Sequence, residues 1–96
     1  MFDQMKQLME MKKQADQLKR SLDAQNVETN DVRGIKVVIN GSQNFQSIAI
    51  DEALLNAGNK AGLERDLLRS VNAAIKASQL MAAKKMKEIM PGLPGM

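Results

Sequence analysis

The sequence of 96 residues predicts an α+β fold in the order α-β-β-β-α, a three-stranded antiparallel sheet with two long helices projecting from it. The middle third alternates apolar and polar residues with the period of a strand, whereas both ends repeat apolar residues at the spacing of a helix face. The terminal repeat is also long. About thirty residues make a helix of about 45 Å, against a radius of gyration near 13 Å for a compact chain of this size. Much of that helix must project.

The first helix is expected at 2–24. Met5, Leu8, Met11, Ala15, Leu18 and Leu22 recur at helical spacing with neither Gly nor Pro among them. Lys6 with Glu10, Lys12 with Asp16 and Lys19 with Asp23 are spaced for i,i+4 pairs, each contributing about 0.2–0.5 kcal/mol. The sheet is expected at 26–50, with "NVETN" as a weaker first strand, "GIKVVING" and "FQSIAI" as the second and third, and Asn40-Gly41 turning between these two. Ile35, Val37 and Ile39 share one face, Val38 takes the other, and Ile48 and Ile50 lie together, so the sheet reads as apolar on both sides. One helix covers one side only; imperfect alternation or a second subunit accounts for the rest. A helical turn follows at 52–56, capped by Asp51 and Glu52, with Asn56 or Asn59 as N-cap of the next helix. The long helix is expected at 60–90. Pro91 stops it, since proline disfavours helical geometry in the preceding residue, and a Pro/Gly tail occupies 91–96. The whole of 1–96 reads as one domain.

The net charge of +3 is unevenly spread: residues 67–96 carry five bases against one acid. On a helical wheel with Arg69 at zero, Leu68, Val71, Ile75, Ala82, Met86 and Ile89 fall between about −100° and −160°. Arg69, Lys76 and Lys87 lie within about 20° of zero and Lys84 near 60°. The last helix thus opposes a basic stripe to an apolar one. In the first helix Lys6, Lys13 and Arg20 nearly line up, diluted by Glu10 and Asp16. A polyanionic partner accounts for the surplus; solubility of an exposed helix is the competing account.

The chain has no Cys and no His, which excludes disulfides, thiolate metal sites and the commonest general base. No nucleophile, base or phosphate loop converges, so no enzyme, cofactor or small-molecule substrate is expected. All eight methionines lie in the helices or at the tail, where packing between helices explains them better than a soft-metal site. No apolar stretch approaches the length of a membrane span and no export leader is read at the start, so a cytoplasmic location is expected.

Taken together, "IKVVINGSQNFQSIAID", "DEALL", "VNAAIKAS" and the closing "PGLPGM" resemble the YbaB/EbfC family of bacterial nucleoid-associated proteins over nearly the whole chain. Asn56-Ala57-Gly58 departs from the acidic, proline-containing cap common there, and Asp66 from a usually apolar position. The resemblance implies a homodimer of α-β-β-β-α subunits joined through their sheets, with paired helices projecting like tweezers onto duplex DNA at little or relaxed sequence preference.

The functional expectation is a nucleoid-associated, duplex-DNA-binding homodimer that affects nucleoid organisation and gene expression. Lys6, Lys13, Arg20, Arg69, Lys76, Lys84 and Lys87 are the candidate phosphate contacts, since neutralising phosphates needs only accessible cations. With Phe2 and Phe45 the only aromatics, a stacking platform for single strands is missing. Val37, Val38, Ile39, Ile48 and Ile50 are the candidate dimer interface. The alternative is a protein-interaction module, a small chaperone or adaptor using the Met-rich helices as a groove.

Overall fold

The computed structural model describes residues 2–90, the side chain of Phe2 excepted; the expected tail at 91–96 and its proline stop lie outside them. Helix α1 spans Phe2–Ala24, and strands β1, β2 and β3 span Asn26–Val32, Ile35–Asn40 and Phe45–Ile50. Two short 3-10 turns, Glu52–Leu54 and Ala57–Asn59, lead into helix α2, Lys60–Ile89. The strands run antiparallel in the order β1-β2-β3, the architecture the sequence predicts. With a radius of gyration of 18.5 Å and extents of 67 × 22 × 16 Å, the molecule is a rod.

The core forms where α2 lies across β1 and β2. Ile35, Val37 and Ile39 of β2 are buried against Ala74, with Val27, Leu63, Leu67 and Ile75 around them. The inward positions of α2 are 63, 67, 70, 74, 78, 81, 85 and 89. Their steps of three, four and four make an eleven-residue repeat, which at about 3.67 residues per turn keeps one face inward along a nearly straight helix. The centre of that face is small, with Ser70, Ala74 and Ser78 buried, so the helix backbone sits close to the sheet. Both hydroxyls are satisfied: Ser70 Oγ donates to the Asp66 carbonyl at 2.8 Å and Ser78 Oγ to the Asn40 carbonyl at 2.7 Å. Leu68, expected on the packed stripe, is instead 64% exposed. The buried face is rotated away from it toward the small residues.

The expected two-sided sheet needs a similar correction. Val37 and Ile39, read as dimer-interface residues, are fully buried within the single chain, because the inward face of β2 is the face that α2 takes. By register Ile48 pairs with Val37 and Ile50 with Ile35, so both point to the helix side. The helix does not extend over β3, however, leaving Ile48 46% exposed and Ile50 half-buried. The opposite face pairs Lys36 with Ala49 and Val38 with Ser47, and there Val38 is half-buried. The uncovered apolar surface therefore belongs to β3 on the helix side.

Three elements are joined at Asn40-Gly41. The dipeptide turns the chain, and the loop runs on to β3 at Phe45, where the returning strand is expected; the left-handed residue of the loop is Gln43, φ 65°. Asn40 Oδ1 accepts from the N–H groups of Ser42 at 3.0 Å and Asn44 at 2.9 Å, while its Nδ2 donates to the Asp23 carbonyl at 3.3 Å. The Gly41 N–H donates to the carbonyls of Leu22 at 2.9 Å and Gln25 at 3.0 Å, satisfying the end of α1. A Cβ at Gly41 would lie 2.8 Å from Leu22 Cδ2 and 3.1 Å from its Cα, so glycine is required here by close approach. The left-handed glycine is Gly34, φ 91°, in the two-residue turn between β1 and β2.

Of the expected i,i+4 pairs, Lys19–Asp23 closes at 3.2 Å. Asp23 also accepts from the Ser42 hydroxyl, and that bond first, with the Lys19 ammonium second, holds its carboxyl below the usual aspartate range. Asp51 caps the first 3-10 turn by accepting from Ala53 N at 3.1 Å. Asn59 sits at the N-cap of α2 without capping it, its Nδ2 donating to the Leu54 carbonyl at 3.0 Å instead.

The junction can be probed at both its glycine and its carboxylate. Gly41→Ala is expected to lower stability by about 1–3 kcal/mol through overpacking, whereas Gly58→Ala, whose Cβ would meet nothing nearer than Asn56 Oδ1 at 3.5 Å, should change it by no more than about 1 kcal/mol. Urea denaturation measures both. Because the Asp23 carboxyl is depressed in the folded state, its contribution is present above the ordinary aspartate range and is lost as pH falls through the lowered value. Asp23→Asn should flatten this acid limb in urea titrations from neutral pH downward; an unchanged limb would place the acid sensitivity at other carboxylates.

Candidate nucleic-acid interface

The packing of Ser70, Ala74 and Ser78 against the sheet fixes which side of α2 meets solvent. Arg69, Lys76, Lys84 and Lys87 are all exposed; the first two and Lys87 lie opposite the buried Ser78, and Lys84 lies to one side of them. From Leu67 to Lys87 the chain contains no acid. The eleven-residue step from Lys76 to Lys87 covers about 16 Å of helix axis, and among the described residues neither these two nor Lys84 is engaged in an ion pair. The fifth base of this segment, Lys85, lies on the packed face, 28% exposed and paired with Glu88 at 3.4 Å.

Arg69 differs from the three lysines. Its Nε donates to Asp31 Oδ2 at 2.7 Å. Asp31 lies where the β1–β2 register shifts between Thr29 and Val32, and such irregularities re-aim side chains. Both partners are solvent-exposed, so the pair adds little stability, but it sets a carboxylate beside one of the predicted phosphate contacts. No sequence pattern signals this, since the partners are 38 residues apart.

On α1, Lys6, Lys13 and Arg20 are exposed. Lys6 and Lys13 share a shallow groove on the helix surface with Met9, Lys12, Glu10 and Asp16, so the cations there stand among carboxylates. Arg20 Nε is turned back to the Asp16 carbonyl at 3.4 Å. The structure thus groups the predicted cations into a row on α2, in which Arg69 is paired with Asp31 while Lys76, Lys84 and Lys87 are engaged in no ion pair among the described residues, and a mixed patch on α1. It also sets a residue that the charge pattern passed over within the α2 row: Leu80, 73% exposed. The wheel that grouped the cations puts Leu80 at about 20°, in their midst.

Among the described residues no group of three or more His, Cys, Asp or Glu is placed to hold a metal ion, and no helix is long and apolar enough to cross a membrane. What the α2 face offers chemically is a row of exposed cationic hydrogen-bond donors along a helix.

Comparison with known proteins gives the family of the chain. The profile of the YbaB/EbfC DNA-binding family matches residues 1–93. A protein of Akkermansia muciniphila named nucleoid-associated protein is 32% identical over 100 aligned positions, covering 93% of this chain and 96% of its own. An uncharacterized protein of Mycoplasma pneumoniae is 36% identical over 62 positions, covering 65% of this chain and 62% of that relative's length. Since the profile spans both helices and the sheet between them, the chain belongs to the YbaB/EbfC DNA-binding family.

Proposed function

We propose that this protein binds duplex DNA as a homodimer with relaxed sequence preference and acts in the nucleoid, where it affects DNA organisation and gene expression. The observation that carries the reading is the exposed, acid-free row of Lys76, Lys84 and Lys87 along the outer face of α2. Such a row neutralises phosphates wherever they lie, which gives affinity without sequence information. The family supports DNA as the partner, and the name of the Akkermansia relative supports the nucleoid.

Support for the dimer comes from β3. It is an edge strand, and Phe45 and Ile48 on it are 42% and 46% exposed, with Leu55 and Leu68 exposed as well. A free strand edge beside an apolar surface favours pairing with a second copy. The protein-interaction alternative draws on α1, where Met5, Leu8 and Met9 are exposed. Stable capture of another protein, with DNA binding abolished at physiological salt, would favour it.

Two outcomes test the proposal. Ile48→Asp should yield a folded monomer of half the sedimenting mass, because the residue is already part-exposed in the subunit, whereas Val37→Asp should unfold the chain by burying an unpaired charge. A dimer that survives Ile48→Asp would move the interface off β3. Replacing Lys76, Lys84 and Lys87 together with Gln should weaken binding about equally for unrelated duplexes and flatten the slope of log K against log salt by about 0.9 for each phosphate no longer neutralised. Arg69→Gln should do less, since Asp31 already engages that guanidinium, and Lys36→Gln on the sheet should serve as the near-neutral control. Melting temperatures should stay close to wild type, exposed substitutions costing about 0.5 kcal/mol or less.

A further inference from the structure

We propose that Leu80 is a base-contacting residue, set to meet the 5-methyl groups of thymine in the major groove; this deepens, and rests on, the reading of the α2 outer face as the DNA-binding surface. At 73% Leu80 is the most exposed of the large apolar side chains on the described surface. It contributes nothing to the core. Ser78, two residues before it, is buried with its hydroxyl on the Asn40 carbonyl, and a step of two residues on a helix turns the side chain by about 200°. The bond that seats Ser78 therefore points Leu80 outward.

Its neighbours on the helix surface are arranged symmetrically. Lys76 and Lys84 stand four residues to either side, Ala77 and Ala83 three residues to either side. The alanines are too short to screen it, so an isobutyl group stands between two cations with nothing of its own size beside it. A lone exposed leucine needs no explanation in general. One centred in an acid-free cationic row is different, because whatever the lysines hold must also meet the leucine.

The partner is identified by charge and by width. Cations without acids select a polyanion. A helix about 10–12 Å across enters the major groove of duplex DNA, about 12 Å wide, but not the minor groove, about 6 Å wide. With the central residue of the row facing the groove floor, the lysines four residues away on either side are directed to the phosphates along its walls. The apolar group that the floor offers is the thymine 5-methyl, which cytosine lacks. One such contact per helix biases binding toward thymine-containing steps and leaves it tolerant of most sequences.

The test uses the full-length protein and pairs of duplexes identical but for thymine or deoxyuridine, which differ in that methyl alone. Wild type should bind the thymine duplex about fourfold more tightly for each methyl contacted. Leu80→Ala should abolish this discrimination while keeping the wild-type salt slope, dimer mass and melting temperature, since no cation and no buried group is removed. Equal discrimination in wild type and variant overturns the proposal, as does a DNA bend abolished in Leu80→Ala without thymine dependence, the signature of a minor-groove wedge. Dissociation of the dimer in Leu80→Ala overturns it too, because the leucine would then be covered by protein. A salt-dependent wild-type complex indifferent to the methyl removes this inference alone; no binding to any duplex removes the reading beneath it.

Discussion

The fold depends on the backbone of Asn40 and Gly41, where the end of α1, the β2–β3 loop and the middle of α2 are bonded to a single point. Asn40 gives its side chain to the loop and to α1 and its carbonyl to Ser78, and Gly41 closes the last carbonyls of α1. Without these bonds the helices would share little besides their own contact, since α1 barely touches the sheet. The junction makes two helices and a hairpin into one rod. Along the axis, α1 runs about 30 Å from Leu22 back to Phe2 and α2 about 18 Å from Ser78 to Met90, so the outer turns of α1 extend past the described end of α2. There the exposed Met5, Leu8 and Met9 are found.

A second constraint is one of width. A single helix spans the two strands β1 and β2, and the small residues on its inward face let it sit low on them. The third strand then completes the hydrogen bonding of β2 without gaining cover of its own. The same close seating that makes the core good leaves the β3 surface exposed, and it turns the Lys76 side of α2 outward. Core, open strand and basic row thus follow from one docking of one helix.

Periodicity made the order of elements legible, because helix and strand repeats differ and Gly and Pro punctuate them. Which face of each element would be covered was much less legible. Val37 and Ile39 carry the same residue types as an interface, and only the position of α2 decides that they are interior. Leu68 matched the apolar stripe, but burial is centred on Ser70 and Ser78, whose hydroxyls read as surface in a sequence and become interior once bonded to the Asp66 and Asn40 carbonyls. The Asn-Gly pair marked a turn correctly, although its glycine serves packing against Leu22. The basic row was visible as charge spacing. Its two modifiers, Asp31 on a distant strand and Leu80 among the cations, were not, since the one requires tertiary contact and the other was uncharged.

The bonding at Asn40 also governs how the protein ages. Asparagine followed by glycine is chemically fragile, because the unhindered glycine nitrogen attacks the side-chain amide carbon, expels ammonia and leaves a succinimide that hydrolyses to aspartate or its β-linked isomer. That attack needs the Gly41 nitrogen free and the amide swung toward it. In the folded chain the nitrogen is committed to Leu22 and Gln25, and the amide is clamped by Ser42, Asn44 and Asp23. The fold therefore shields its most perishable peptide with the bonds that hold its helices together. Each opening of the junction exposes that bond, so the lifetime of the molecule is tied to how seldom its helices come loose.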